Sequence, residues 1–413
     1  MCFRERYFET FSVICDRLSL MISDKELEGK GSPLIERDRY KDLETAFPNI
    51  SIDIHPVTWK GKSFFYEQLL SGTFNNWGLA YTFNMLDYSE LFNKFADTEL
   101  ERLRNKNKTK KWTLDEGYPK NDHGDTYPRR TFVSGLTGGF SFVGVTAISD
   151  AKYSCNAPLS GYKVTLHHPC ELPNMDKHFR LPLNQSVFVA VKPRMITISE
   201  NLKSYKPEDR KCYLTHEREL KFFKSYTQQN CEHECILNAT WEHCGCLPFY
   251  MFIFEDVPLC GSAKMSCVDG IREEYISNNN DNQCNCLPSC TSLVYDVEIS
   301  QSSEDFNSYL TLAAKLEGKD LNLPVDYSNL SFSLLVVYYK EMQFLRSERN
   351  ELYGYVDFFS NTGGLMGLFI GFSVTSLIET IYFLTLRLGC NIKMYGKRFW
   401  SGAPELINNE EVK

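Results

Sequence analysis

Hydrophobic positions are most concentrated in the last apolar run of the chain, which reads GGLMGLFIGFSVTSLIETIYFLTLRL over residues 363–388. No charged residue occurs from Phe358 through Ile378. At ~1.5 Å rise per residue, about 24 helical residues would reach roughly 36 Å, which is enough to cross a bilayer. A helix in a soluble core rarely needs so long an uncharged stretch. The pattern therefore predicts one transmembrane helix.

A stripe of small and polar residues follows this predicted helix at four-residue spacing: Gly363, Gly367, Gly371, Thr375 and Glu379. On a straight helix such a stripe drifts by ~40° per step, which suits helices that cross at an angle. A carboxylate inside a membrane is costly unless it faces protein or water. The stripe fits a helix-packing motif with Glu379 near the interface, and it also fits the wall of a pore.

The pattern before this run predicts both strands and helices. Alternating or Gly-rich apolar runs predict strands in six segments: residues 78–84, 131–148, 161–169, 186–199, 292–300 and 330–340. Helical spacing predicts an amphipathic helix over 5–22 and a cysteine-bounded helical segment over 211–251. Residues 97–130, dense in charge, Asn and Gly, are expected on the surface. The fold class is therefore α+β.

Composition narrows the function. The 413 residues carry a net charge of −8, and the mean hydropathy is −0.33. Mild acidity without a long basic run argues against nucleic-acid binding. The low mean hydropathy excludes a polytopic membrane protein, whereas one span in a mostly polar chain fits it.

Twelve of the 15 cysteines lie between Cys155 and Cys290. An even number of closely spaced cysteines indicates a disulfide framework formed in the secretory pathway. Zinc is the alternative, because metal-type ligands occur together there: Cys231, His233, Cys235, His243, Cys244 and Cys246. Their C-x3-C and C-x-C spacings fit zinc poorly, so disulfides are favoured and no metal site is predicted.

No catalytic signature stands out in the sequence. His167 and His168 fit a polar pair at the end of a strand better than they fit metal ligands. No Ser/His/Asp, P-loop or paired-carboxylate pattern rises above chance. We therefore expect neither enzyme activity nor a cofactor.

Five N-x-S/T sequons precede the apolar run: Asn49, Asn107, Asn184, Asn238 and Asn329. Each is a weak match alone, but their one-sided placement fits a glycosylated luminal ectodomain. Basic residues after Leu388 place the tail in the cytosol. Near the amino terminus, Asp16 and Arg17 interrupt the apolar stretch FSVICDRLSLMIS, so no signal-peptide core is predicted there.

Three motifs are similar to those of the epithelial sodium channel/degenerin family, which includes the acid-sensing channels, and most of all to its insect pickpocket branch. GGLMGLFIGFS resembles the family's second transmembrane motif, which ends in Gly-x-Ser. The series C-x3-C, C-G-C and C-x-C-L-P-x-C resembles the family's thumb cysteines in order and spacing. The segment 78–84 resembles its G-x-C-Y-T-F-N strand, and the resemblance covers residues 55–390.

The resemblance implies an ectodomain of palm, β-ball, finger, knuckle and thumb over residues 1–357, with the thumb at 205–292. A pore-lining transmembrane helix over 358–388 and a cytoplasmic tail over 389–413 would follow. The implied protein is a plasma-membrane subunit of a homo- or heterotrimer with related subunits. Its implied function is that of an amiloride-sensitive, ligand-gated channel for sodium ions.

Carried onto this sequence, the resemblance places a selectivity filter at Gly371, Phe372 and Ser373. There the family's helix is interrupted, so that backbone carbonyls face the ion path and glycine lets the backbones approach closely. The family commonly has a small residue at the middle position, and Phe372 departs from that. The aromatic ring would either point into a helix interface or alter conduction.

The resemblance also assigns three further pore residues. Ser360 stands at the degenerin position, where a bulky side chain is expected to obstruct closure. Asp357 and Glu379 are the implied pore carboxylates, with Asp357 gathering cations above the mouth.

Nested thumb disulfides are implied as well, with the two remaining cysteines paired to each other. The implied pairs are Cys212–Cys290, Cys231–Cys286, Cys235–Cys284, Cys244–Cys267, Cys246–Cys260 and Cys155–Cys170.

Two features depart from the family's pattern. Ala80 replaces the cysteine of the G-x-C-Y-T-F-N strand, and the family's first membrane span finds no match. The sequence is accordingly interpreted as an incomplete or truncated subunit, with residues 5–22 as part of the finger helices. A non-conducting subunit and a single-pass, disulfide-rich receptor or adhesion protein are the alternative functions.

Overall fold

The computed structural model of the chain describes residues 33–35, 54–75, 78–93, 105, 107–109, 112–119, 126–147, 159–251, 257–277, 284–316, 329–343, 346–397 and 400–401. The helix predicted over residues 5–22 lies outside these ranges, as do Asn49 and Cys155. The chain divides into two compact units, Met1–Arg349 and Asn350–Lys413.

The first unit contains the described strands. They are β1 (Leu34–Ile35), β2 (Ile54–Trp59), β3 (Lys62–Phe64), β4 (Leu70–Asn75), β5 (Gly78–Phe83), β6 (Phe140–Ala147), β7 (Tyr162–Val164), β8 (Phe179–Leu181), β9 (Gln185–Ile198), β10 (Leu259–Cys260), β11 (Ser292–Ser303), β12 (Leu330–Tyr339) and β13 (Arg346–Arg349).

Seven α-helices belong to the described part of the first unit. They are α1 (Tyr66–Leu69), α2 (Tyr88–Leu91), α3 (Glu200–Lys203), α4 (Pro207–Arg210), α5 (Gln228–Cys244), α6 (Met265–Ser277) and α7 (Phe306–Leu316). Short 3-10 helices cover Leu136–Gly138, Phe249–Met251 and Ser262–Lys264.

Seven strands form the main sheet, in the order β11-β9-β12-β6-β2-β3 with β13 also paired to β9. The long strand β9 runs antiparallel to β11 and parallel to both β12 and β13. Val187, Val189 and Val191 are buried on one face of β9, because alternate residues of a strand point the same way. Leu181 and Leu335 pack against them and complete this part of the core.

Pro193 lies in the middle of β9 without breaking the sheet. On one side β12 pairs with β9 as far as Val191, and β13 begins its pairing at Met195. Pro193 lies between these two pairings, so the N–H that proline lacks is not needed there.

The α+β prediction is confirmed, and most of its strands are present. The segments at 78–84, 131–148, 186–199, 292–300 and 330–340 contain β5, β6, β9, β11 and β12. The strand expected over 161–169 is shorter, because β7 ends at Val164 and pairs with β8 as a separate hairpin.

The helix expected over 211–251 is confined mainly to α5, so the prediction is wrong for residues 211–227. Glu234 of α5 gives one reason. Its carboxylate accepts hydrogen bonds from the backbone N–H groups of Lys221 and Phe222, each at 2.8 Å. These tertiary hydrogen bonds use donors that a continuous helix would have paired internally.

The surface prediction for 97–130 is wrong at its carboxyl end. Thr126 and Tyr127 are each 8 % exposed, and the Tyr127 hydroxyl donates to the carbonyl of Met85 in the largest core cluster. The charge and Asn density of this segment give no sign that its end returns to the core.

The second unit contains the apolar run as a broken pair of helices. α8 (Tyr355–Ile370) precedes α9 (Val374–Ile381), a π-helical turn (Tyr382–Leu386) and α10 (Arg387–Tyr395). No single helix among the described residues is long and apolar enough to cross a membrane. α8 and the continuous segment Val374–Tyr395 pass that test together, with an 87° bend between them. The one transmembrane helix predicted over this run is therefore interrupted and forms two helices.

Candidate functional site

Gly371 ends the first helix of the pair. Its φ of +65° lies in the left-handed region, and its N–H donates to the Gly367 carbonyl at 3.1 Å. This is the usual role of glycine just after a helix, because other residues are strained there. A Cβ on Gly371 would meet nothing within 4 Å, so backbone conformation rather than space requires glycine.

Ser373 begins the next helix. Its hydroxyl accepts a hydrogen bond from the Ser376 N–H at 3.3 Å, and its own N–H donates to the Ser376 hydroxyl at 3.4 Å. Serine is among the preferred residues for this capping position. Gly371 and Ser373, two positions apart, thus specify the end of one helix and the start of the next.

Phe372 connects these two caps. Its N–H donates to the Met366 carbonyl at 3.2 Å, and the residue is half-buried although its surroundings are mostly exposed. The last carbonyls of α8 and the first N–H groups of α9 lack intrahelical partners, as at any helix end. The break therefore gathers backbone oxygens with partial negative charge, which are suitable ligands for a small cation.

The predicted carboxylates lie on different helices. Asp357 is in the first turn of α8, where its carboxylate accepts a hydrogen bond from the Gly354 N–H at 3.2 Å. Ser360 follows about one turn later on the same helix, and Glu379 lies in α9 beyond the break. All three predicted residues are exposed in the single chain.

Large apolar side chains on both sides of the break are exposed. The exposed fractions are 79 % for Leu368, 76 % for Phe369, 73 % for Ile370 and 73 % for Val374. A contiguous apolar surface of this kind indicates a membrane or a protein partner rather than water.

The five predicted thumb disulfides are confirmed. Each pair is bonded, and the Cα atoms of the partners are 5.0–6.1 Å apart: Cys212–Cys290, Cys231–Cys286, Cys235–Cys284, Cys244–Cys267 and Cys246–Cys260. The cysteines of the zinc alternative are therefore used in disulfides. Among the described residues, no group of three or more metal-type ligands is placed to hold a metal ion.

The sixth predicted disulfide, Cys155–Cys170, is wrong. Cys170 is a free thiol, 1 % exposed, within the largest core cluster, and its predicted partner Cys155 lies outside the described residues. Burial is the main cause that raises the pKa of this thiol, and a hydrogen bond with Ser225 acts against it. Cys170 therefore behaves as a small core residue.

Of the two adjacent histidines, His168 is buried in the core and His167 is half-buried. His168 is 6 % exposed, its ring lies 5.9 Å from that of Trp112, and its Nδ1 accepts a hydrogen bond from the Cys170 N–H at 3.2 Å. Burial, with a smaller contribution from the nearby His167, lowers the pKa of His168 to about 4. The ring is thus neutral at physiological pH and serves packing.

The predicted glycosylation sites occupy different environments. Asn184, Asn238 and Asn329 are exposed, whereas Asn107 is half-buried and its side-chain amide donates to Asn105 at 3.3 Å. Exposure leaves the first three accessible to a glycan, and glycosylation at all of them stays a prediction.

The structure contains an ion pair between Arg210 and Glu217 that sequence reasoning missed. The Arg210 side chain is 1 % exposed. Residues of opposite charge seven positions apart carry no recognisable spacing signal outside a helix, and only the fold brings these two together.

Taken together, the two units define a class of protein: a disulfide-rich α+β domain followed by an apolar helix pair broken at a glycine–serine step. The chain belongs to the family described as amiloride-sensitive sodium channel, which matches residues 34–383. Members of this family are plasma-membrane ion channels, not enzymes.

Individual relatives agree with this family. The chain is 30 % identical to Pickpocket protein 28 of Drosophila melanogaster over 321 residues, which cover 76 % of this chain and 52 % of that protein. It is 26 % identical to Sodium channel protein Nach of Drosophila melanogaster over 274 residues (63 % and 47 %). It is 25 % identical to Degenerin del-1 of Caenorhabditis elegans over 191 residues (45 % and 28 %). The chain spans about half the length of the first two of these relatives.

Proposed function

We propose that this chain is a subunit of a trimeric sodium channel and that Gly371, Phe372 and Ser373 line the narrowest part of its ion path. The observation that carries the proposal is the helix break, because it lies within an exposed apolar helix pair and a helix end leaves backbone carbonyls without intrahelical partners. Family membership supports the same activity.

The proposed mechanism uses backbone oxygens to replace water around the ion. Three symmetry-related copies of Gly371 would present carbonyls to one Na⁺, and a ring of oxygens selects ions by its size and field strength. Asp357 would raise the local cation concentration at the outer mouth, and Glu379 would lie on the cytosolic side.

The proposed topology has residues 1–357 outside the plasma membrane, a pore-lining segment at 358–388 and a cytoplasmic tail at 389–413. The basic residues Lys393 and Lys397 support this orientation, since cytoplasmic flanks carry an excess of positive charge. Amiloride sensitivity and gating by a ligand are part of the proposal through the family.

The test is to express the chain alone and together with a full-length pickpocket relative, and to record sodium current with and without amiloride. Subunit stoichiometry is measured on the same membranes by crosslinking. The proposal fails if neither combination gives or modifies a current and no trimer forms.

The filter assignment has its own test in any assembly that conducts. Ser373→Ala should change the Na⁺/K⁺ permeability ratio several-fold, because it removes the cap that fixes the break. Thr380→Ala removes another exposed hydroxyl from the same helical segment and serves as the matched control. Equal ratios in both variants would remove Ser373 from the filter.

A second candidate function is a non-conducting subunit, and the aromatic ring at position 372 favours it. Three such rings around an axis would narrow the path that smaller residues leave open. Phe372→Ala should then produce or enlarge sodium current in the co-expressed assembly. An unchanged current in this variant would rule out obstruction by Phe372.

A receptor or adhesion role predicts instead that replacing 363–388 by leucines leaves ligand binding intact.

A further inference from the structure

The guanidinium of Arg210 is buried near the start of the predicted thumb, residues 205–292, which we call the cysteine-rich segment. It donates hydrogen bonds to the backbone carbonyls of Lys203 at 3.1 Å, Tyr205 at 2.8 Å and Cys212 at 3.1 Å, and it forms an ion pair with Glu217. Buried charges are tolerated only where their hydrogen bonds are satisfied. One side chain therefore holds the backbone at the end of α3 (Lys203 and Tyr205) and the backbone at Cys212.

Apolar side chains pack at the same place, and we call them the junction cluster: Ile198, Leu202, Cys212, Leu214 and Cys290. They come from the end of β9, from α3, from both halves of the outermost thumb disulfide and from Leu214, which follows Cys212 by two positions. The cluster therefore joins the longest strand of the sheet to the cysteine-rich segment.

The end of β9 is also paired with β11. Ile196 lies opposite Ser292, the first residue of β11, which follows Cys290 by two positions. A displacement of the outermost disulfide would therefore act directly on the register between β11 and β9.

On its other side, the end of β9 holds β13. The four residues of β13 pair with Met195–Ile198, and the Ser199 N–H donates to the Arg349 carbonyl at 3.0 Å. Asn350, the next residue, begins the second unit. β13 is short, and β9 is its only strand partner among the described residues, so its local stability depends on a fixed β9 end.

We propose that Arg210 is a positioning residue that couples the cysteine-rich segment to β13, the strand through which the chain enters the helix pair. Its hydrogen bonds hold α3 and the loop after it against the junction cluster, which fixes the last residues of β9 and hence β13. The consequence for gating rests on the proposed channel function, whereas the coupling itself concerns this chain alone.

The primary test is hydrogen–deuterium exchange on the purified full chain, comparing peptides that contain 195–199 and 346–349. Arg210→Met should accelerate exchange in both by roughly tenfold, because hydrogen exchange reports local opening. Arg210→Lys should not restore protection, since one ammonium cannot replace a planar fork that serves four acceptors. Unchanged exchange within α5 shows that the rest of the segment stays folded.

The matched control is Arg272→Met, a substitution in the same cysteine-rich segment that breaks a partly exposed ion pair with Asp176 outside it (2.6 Å, side chains 31 % and 57 % exposed). It should leave exchange at 346–349 unchanged. If Arg210→Met does not fold, Glu217→Gln replaces it and should give a smaller acceleration at the same peptides. The proposal is overturned if residues 346–349 of the folded Arg210 or Glu217 variant are as protected from exchange as in the parent chain. It is also overturned if Arg272→Met loses as much protection there as that variant does.

A second readout separates positioning from simple destabilisation. In a conducting assembly, Arg210→Met should change single-channel open probability and leave single-channel conductance and ion selectivity as they are. A lower number of channels with unchanged open probability would contradict a role in gating. If the parent chain gives no current, the proposed function fails, while the exchange experiment still decides the role of Arg210.

Discussion

At the scale of single residues, burial decides chemistry that residue type leaves open. His168 and Cys170 are both potential metal ligands by type, but both side chains lie in the core. The opposite holds for Asp357, Ser360 and Glu379, which keep exposed side chains on the helix pair. The sequence predicts whether each of these residues lies on a helix or near a strand. It does not predict whether the side chain is buried, because burial depends on segments that are distant along the chain.

Acid should destabilise the first unit through His168. The pKa of His168 is about 4 in the folded chain and about 6.5 in the unfolded chain. Between pH 6.5 and pH 4 the unfolded chain therefore binds a proton at His168 and the folded chain does not. The free energy of unfolding is therefore at its full value, as far as His168 is concerned, above about pH 6.5. It falls by roughly 3 kcal/mol as the pH drops towards 4.

The measurement is denaturant unfolding of the purified chain between pH 7.5 and pH 4.5. His168→Gln should flatten the pH dependence over this window, and His243→Gln, at an exposed position, is the matched control. A parent chain as stable at the low pH as at the high one would contradict the prediction.

A bulky side chain at Ser360 should raise resting sodium current. Ser360→Phe is expected to obstruct closure of the proposed pore and to increase the current several-fold before any stimulus. Asn361→Phe introduces the same ring about 100° away around α8 and should have little effect. Equal currents in the two variants would contradict the gate position.

At the scale of elements, the break at residues 371–373 follows from local chemistry. Glycine in the left-handed region ends α8, and a serine N-cap begins α9. Neither step needs a distant partner, so the interruption was predictable from the sequence and its resemblance. The 87° bend was not, because the direction of a chain after a cap depends on torsions that the residue types only restrict.

Gly371→Ala should weaken the break in a way that Gly364→Ala does not. Both sites have open space for a methyl group, and only Gly371 has positive φ. Alanine costs about 1–2 kcal/mol in the left-handed region, whereas in a helix interior it gains up to about 1 kcal/mol over glycine.

Thermal unfolding in detergent checks this pair, together with current in a conducting assembly. The first variant is expected to be less stable and to conduct differently, and the second to be at least as stable as the parent. The same shift in both variants would contradict a special role for the backbone conformation at position 371.

At the scale of the whole molecule, nested disulfides tie the cysteine-rich segment together. Cys212–Cys290 encloses the other four bonds with a sequence separation of 78 residues, and Cys231–Cys286 lies just inside it. Because the inner bonds already shorten the path, the outermost bond closes a much smaller effective loop than its separation indicates.

Removing the outermost bond should therefore cost less than its sequence separation predicts. The double substitution Cys212→Ala and Cys290→Ala should lower the free energy of unfolding by about 3.5 kcal/mol, instead of the about 4.5 kcal/mol expected for an isolated loop of that length. Denaturant unfolding measures the loss of unfolding free energy relative to the parent chain. The reference is the double substitution Cys246→Ala and Cys260→Ala, which removes the bond with the shortest sequence separation, 14 residues. A loss for the outer pair that matches the isolated-loop value would contradict the nested arrangement.

The sequence by itself determined the features that depend on short-range chemistry. The alternation of β9, β11 and β12, the cap residues Gly371 and Ser373, and the cysteine series each act within a few residues along the chain. Tertiary structure alone decided the sheet order, the burial of Arg210 against Glu217, the free thiol of Cys170 and the non-helical path before α5. These depend on contacts between residues far apart in the chain, whose free energy is gained only after the fold has brought them together.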